Sequence, residues 1–338
     1  MAVKINKIGN KMLYIIKKNY FLSDYILDAI KDQEDVRIIL YKRLKPKGTK
    51  RILQKIKRFI RTFVCNKRGL WIDDFFSETF LSEIKDITPN DNVLFWGCEN
   101  LKELLILSKE ITSKVKNVFF WNPVSSINRN FYSKWECAHY LHHSGMQVFT
   151  FDKGDAIKYG FQAINQVYRK PKAFSCNQLD IPHTDIFYIG VDKHRTAILK
   201  MLKEEFDKDN ISYSINIKKD KHSVAVPQLE SCYIDKLVPY EDALNMIRQS
   251  DCILEILQKK QSGMTLRTLE AVFLGKKLIT NNKEIINSPI YFKNNIYIID
   301  NNEQRTIKEF IQTPMMPIPS AVIDSFDIEH WITPFLYE

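Results

Sequence analysis

Short apolar runs of strand length alternate twice along this chain with segments of helical apolar period, and that alternation confines it to parallel α/β sheets. In the first block Asn92–Gly97 reads as a buried strand and about Leu101–Ile111 as a helix. Val118–Trp121 follows as a strand, about Tyr132–His143 as a helix and Met146–Phe151 as a strand. An earlier run, Val36–Tyr41, is expected in the same sheet. The second block opens with the strand Asp185–Val191, continues with a helix over about 195–207 and returns through Ser212–Ile217. A helix at about 240–250, the strand Cys252–Ile256, a helix over about 265–274 and the strands Lys277–Thr280 and Ile296–Ile299 complete it.

The chain has 338 residues, long for one hydrophobic core and sufficient for two. The pattern resets across 166–177, where Arg169, Lys170, Pro171 and Lys172 cluster, so a linker is expected there. The domains are then 1–168 and 169–312, two Rossmann-like sheets facing each other across a ligand cleft. After Thr313 come Pro314, Pro317, Pro319 and Pro334, which disfavour a further central strand. Residues 313–338 are therefore expected to cross back onto the first domain.

A net charge of +10 points to an anionic partner, whether phosphate, nucleic acid or a membrane surface. Six cysteines stand singly with no CxxC pair, which argues against a zinc ribbon or a disulfide framework. The N-terminal residues interrupt every apolar run with lysine or asparagine, unlike a signal peptide, and no run reaches the ~18 apolar residues of a spanning helix. A cytoplasmic protein is expected.

Between Lys42 and Arg68 there are twelve Lys/Arg and no Asp or Glu. Over about 48–66, Ile52, Leu53, Ile56, Phe59, Ile60, Phe63 and Val64 keep helical spacing opposite Arg51, Lys55, Arg58 and Arg61. Such a basic amphipathic helix suits an anionic lipid surface, at the inner face of the plasma membrane. Packing of its apolar face on the first domain fits the same pattern. No nucleic-acid-binding motif accompanies it, so no nucleic-acid partner is expected.

The stretch Gln261–Thr280, QSGMTLRTLEAVFLGKKLIT, places Gln261, Ser262 and Gly263 in a loop before a helix that starts near Thr265 and Leu266. Free amides at such a helix start face an anion, and Arg267, Lys276 and Lys259 lie near in sequence. Glu270, a turn and a half into the helix, has the chemistry to accept hydrogen bonds from ribose hydroxyls. Spacing alone favours an amphipathic helix whose Leu266, Leu269, Val272 and Phe273 pack on a sheet, with Glu270 solvated.

This stretch resembles the donor-binding signature of retaining GT-B glycosyltransferases: a small-residue loop, a helix, a glutamate, then glycine and a strand ending in threonine. Ser262, Gly263, Thr265, Glu270, Ala271 and Gly275–Thr280 carry the likeness, together with Phe187–Arg195 and Phe151–Phe161. Bacterial enzymes of lipopolysaccharide core, capsule and exopolysaccharide assembly are the members it looks like. The paired second glutamate of that signature has no counterpart, so only Glu270 carries over. The resemblance implies a GT-B fold, a nucleotide-sugar donor in the second domain and a glycan or lipid-linked glycan acceptor in the first. It implies sugar transfer with retention, without a metal or other cofactor. Lys193 and Arg195, after the first strand of the second domain, would neutralise the departing diphosphate, as solvated capping charges would also explain.

Asp73 and Asp74 lie among aromatic residues, where either suits the base that deprotonates an acceptor hydroxyl, or the cap of the next helix. Asp152 and Asp155 admit the same two readings. His139, His142 and His143 cluster without a third ligand at metal spacing, so no metal site is expected. A non-catalytic GT-B-like scaffold and a nucleotide-sugar epimerase are the competing functions.

Overall fold

Leu13–Lys17 forms the first strand, β1, and every one of its five residues is buried despite the lysines and asparagines around it. Lys17 is tolerated there because its ammonium pairs with Asp24 on helix α1, Phe21–Leu27. The computed structural model describes residues 11–42, 48–49, 52–53, 56, 76–98, 100–123, 141, 144–171, 181–257, 263–300 and 304–337. Within these the chain forms two compact units, 1–164 with 332–338, and 165–331.

In the first unit β1 is joined by β2 (Val36–Leu40), β3 (Asn92–Trp96), β4 (Val115–Phe120), β5 (Gln147–Thr150) and β6 (Gln162–Ala163). All pair in parallel, in the order β2-β1-β3-β4-β5-β6. The strands read as near-continuous apolar runs because helices cover parallel sheets. The described helices are α1, α2 (Glu78–Lys85), α3 (Leu101–Glu110) and α4 (Lys153–Tyr159). Phe80, Val93, Phe95, Leu107, Val118 and Phe120 lie in one core cluster with them. Asp152 caps α4, its Oδ1 accepting from the Asp155 amide at 2.9 Å, so the capping reading applies to it.

The second unit contains β7 (Thr184–Val191), β8 (Tyr213–Lys218), β9 (Tyr233–Ile234), β10 (Ser250–Glu255), β11 (Lys277–Thr280) and β12 (Ile296–Ile298). These are again parallel, in the order β12-β11-β10-β7-β8-β9. Its helices are α5 (Thr196–Asp209), α6 (Tyr240–Arg248), α7 (Leu266–Leu274), α8 (Ile307–Gln312), α9 (Ser320–Asp324) and α10 (Ile328–Trp331). Helix α7 ends at Gly275, whose φ of 63° lies in the left-handed region that closes helices. This is an α/β chain with two Rossmann-like parallel sheets.

After Thr313, residues up to Trp331 stay with the second unit. Helix α11, Thr333–Tyr337, belongs to the first, where Asn92 Nδ2 donates to the Phe335 carbonyl at 2.7 Å. No described helix is long and apolar enough to cross a membrane. Cys98, Cys232 and Cys252 are buried free thiols. Of the helix expected near Tyr132–His143 the described residues include Leu141, helical and buried, while His139, His142 and His143 lie outside them.

Candidate functional site

In the second sheet the winding direction reverses between β7 and β10, and ligands of open α/β sheets enter at such a reversal, beyond the carboxyl ends of the strands. The segment after β7 carries Lys193 and Arg195, and the segment after β10 carries Gly263, Thr265, Leu266 and Glu270. The fold thus brings residues some seventy positions apart in sequence to one edge of the sheet.

The turn after β7 is built by Asp192. Its buried Oδ1 accepts from the Arg195 amide at 3.1 Å, the Thr196 amide at 3.2 Å and the Thr196 hydroxyl at 2.5 Å. Burial raises the Asp192 pKa, but bonds from Thr196, Ser223 and the two amides outweigh it and leave it below the ordinary value. Lys193 and His194 follow with φ of 45° and 66°. Two successive side-chain-bearing residues in the left-handed region are strained, and Asp220 holds them there by accepting from the Lys193 amide at 3.0 Å. The Lys193 side chain is exposed.

Two guanidinium groups converge at the end of β7. Arg195 Nη1 donates to the Val191 carbonyl at 3.0 Å and Arg267 Nη2 to the Ile189 carbonyl at 3.4 Å. Those carbonyls are two residues apart on one strand, about 7 Å. Between them lies Gly190, and a Cβ there would meet the Tyr188 hydroxyl at 3.0 Å and Arg195 Nη1 at 3.8 Å. Arg195 Nε is buried without a hydrogen-bond partner, and the buried Tyr188 hydroxyl lies beside the Arg195 guanidinium. Burial pushes the Tyr188 pKa up, opposed by the charges of Arg195 and Arg267. Among the described residues Arg195 has no carboxylate partner, so positive charge at this edge is incompletely neutralised.

Helix α7 starts where the sequence placed it. The Thr265 hydroxyl caps it by accepting from the Arg267 amide at 3.1 Å, and donates to Glu255. Leu266 opens the helix, half-buried. Glu255, at the end of β10 and 3% exposed, also accepts from the hydroxyls of Thr268 at 2.8 Å and Thr280 at 2.6 Å. It therefore ties the turn, the helix and β11 together.

Glu270 is held by Tyr240 and Arg267 and is not solvated. It is 2% exposed, with Oε1 accepting from the Tyr240 hydroxyl at 2.8 Å and Oε2 paired with Arg267. The Tyr240 and Tyr168 hydroxyls are in turn 2.6 Å apart. Lys276 donates to the Arg248 carbonyl at 2.7 Å, closing α6. The buried Lys277 donates to the carbonyls of Phe310 at 2.6 Å, Ile311 at 2.7 Å and Thr313, closing α8. Of the nearby lysines, these two serve helix ends. Lys259, Gln261, Ser262, Asp73, Asp74, Arg51, Lys55, Arg58 and Arg61 lie outside the described residues.

No family model and no curated protein sequence matches the chain. Solved structures do. The alpha,alpha-trehalose-phosphate synthase (UDP-forming) of Burkholderia vietnamiensis superposes with a TM-score of 0.59 at 11% identity, over 96% of this chain and 99% of its own. The N-terminal domain of the trehalose-6-phosphate phosphatase of Candida albicans gives 0.58 at 13% identity, over 98% and 96%. These likenesses span both units and place the chain in the GT-B fold.

Proposed function

We propose that this protein is a glycosyltransferase that moves a sugar from a nucleotide-sugar donor to a cell-surface glycan acceptor, such as lipopolysaccharide or capsule, at the cytoplasmic membrane face. The observation that carries the reading is the convergence of Arg195 and Arg267 beside the buried Tyr188 hydroxyl, at the winding reversal of a GT-B sheet. Such an edge suits the diphosphate of a donor, and the Burkholderia protein's name specifies formation of UDP.

In the reaction an acceptor hydroxyl oxygen bonds to the anomeric carbon on the same face from which the diphosphate departs, as the bond from that carbon to the diphosphate oxygen breaks. The electron pair leaves with the diphosphate, and the acceptor proton passes to a base, for which Asp73 or Asp74 of the first domain are the candidates. Arg195, Arg267 and Lys193 offset the charge that grows on the leaving group, the part a divalent cation plays in other transferases. Gly263 and the α7 start face the same phosphates. Retention at the anomeric carbon follows the resemblance of the α7 signature, as does the ribose role of Glu270. The basic helix, through Arg51, Lys55, Arg58 and Arg61, would bring the enzyme to a lipid-linked acceptor.

Melting of the purified protein against UDP-, GDP-, dTDP-, CMP- and ADP-linked sugars, with and without EDTA, tests this. A ligand at a hundred times its Kd stabilises by about 2.7 kcal/mol, enough to raise Tm by several degrees. One nucleotide class should do so, with EDTA present, and Arg195→Ala should abolish the rise. No shift from any donor would overturn the reading.

A further inference from the structure

Glu270 is closed in on every side that the structure describes. Tyr240 and Arg267 each occupy one of its oxygens, and only 2% of the side chain is exposed, against 26% for Arg267. Tyr240 is fixed by the Tyr168 hydroxyl, and Tyr168 is fully buried, with its ring 5.4 Å from that of Phe273 on α7. The backbone of Tyr168 is pinned too, its amide donating to the Phe326 carbonyl at 2.8 Å and its carbonyl accepting from the Ile328 amide at 2.9 Å. Burial, and then the charge of Glu270, push the Tyr240 hydroxyl far above the usual tyrosine value, so it remains a donor at any physiological pH.

We propose that Glu270 is a positioning residue for Arg267, held by the Tyr168–Tyr240 pair, and that the ligand group read through this helix is the diphosphate and not the ribose. The proposal rests on the nucleotide-sugar reading and replaces its ribose role for Glu270. A free arginine samples many rotamers, whereas one anchored to a fixed carboxylate on one nitrogen and to the Ile189 carbonyl on another keeps a single orientation. Arg195, anchored to Val191, supplies the second arm. The relay of Tyr168, Tyr240, Glu270 and Arg267 thereby transmits rigidity from the interior to an anion-facing edge.

Calorimetry on the full chain separates the alternatives, with inorganic pyrophosphate, UDP, GDP, ADP and the 2′,3′-dideoxy form of each nucleotide as probes. Positioning predicts that Glu270→Gln and Tyr240→Phe each lose about tenfold in affinity for pyrophosphate and for ribo- and dideoxynucleotides alike. A loss confined to ribonucleotides would show that Glu270 touches the ribose, overturning the proposal. A gain in pyrophosphate affinity for Glu270→Gln would show that the carboxylate only offsets positive charge, with the same consequence. If the wild type binds none of the probes, the donor reading itself fails. Should Glu270→Gln not fold, Tyr240→Phe, which removes one oxygen, decides alone.

Discussion

Asp192 Oδ1 receives both the amide and the hydroxyl of Thr196, at 3.2 and 2.5 Å, and so closes a turn in which Lys193 and His194 hold positive φ. Because its pKa is lowered in the folded state, Asp192 contributes stability that is present above its unfolded value of about 4. That contribution is lost as pH falls through the folded value. Asp192→Asn should cost about 1–3 kcal/mol at pH 7. The gap to wild type should close below about pH 4, as urea melts at both pH values would reveal. A gap that ignores pH would count against the assignment.

Gly190 stands where no other residue fits without moving Tyr188. Gly190→Ala is expected to destabilise by about 1–3 kcal/mol through overpacking and to weaken diphosphate binding by pushing Tyr188 against Arg195. Tyr188→Phe, which removes the hydroxyl that the new methyl would meet, should restore much of both in the double variant. A double-mutant cycle reads that coupling directly, and strict additivity would refute it.

Glu255 gathers three threonine hydroxyls in a buried network. Glu255→Gln swaps one acceptor for a donor there and should cost about 1–3 kcal/mol. In a chain of this size such a loss lowers Tm by several degrees, and calorimetric melting measures it. Donor affinity should fall with it, since Thr265 sets the start of α7.

Ile52, Leu53 and Ile56 are 60%, 56% and 49% exposed, an apolar row amid the basic stretch. Replacing Lys55, Arg58 and Arg61 by glutamine should cut binding to vesicles containing anionic phosphatidylglycerol about a hundredfold, at about 1 kcal/mol per cation. Sedimentation with vesicles tests this, and unchanged binding would remove the basis for membrane docking.

Much of the fold was legible because strands such as β3, β10 and β11 are apolar runs bounded by turn residues, and α7 declares its start with Thr265 and its end with Gly275. The strand β1 was not, since a five-residue run ending in Lys17 resembles its polar surroundings until Asp24 is seen to pair with it. At the site, sequence proximity pointed to Arg267 and the resemblance to the segment after β7, and the sheet order unites the two. It also suggested Lys276, which the fold turns to α6. The roles of Tyr168, Tyr188, Tyr240 and Glu255 depend on contacts with distant residues or on burial, and no local pattern records either. Tyr168 and Tyr240 are 72 positions apart.

Asn165 and Trp331, the first and last residues of the second unit, are joined by a 2.8 Å bond from the indole Nε1 to the Asn165 carbonyl. Lys170 reaches Asp324 at 2.7 Å, and Tyr168 bridges to Asp327 just inside them. In chain order this unit is an insert within the other, and its two ends are sewn together by its own residues. A polypeptide of 165–331 alone would retain that seam, so this unit can be sought as an excised, self-closing module.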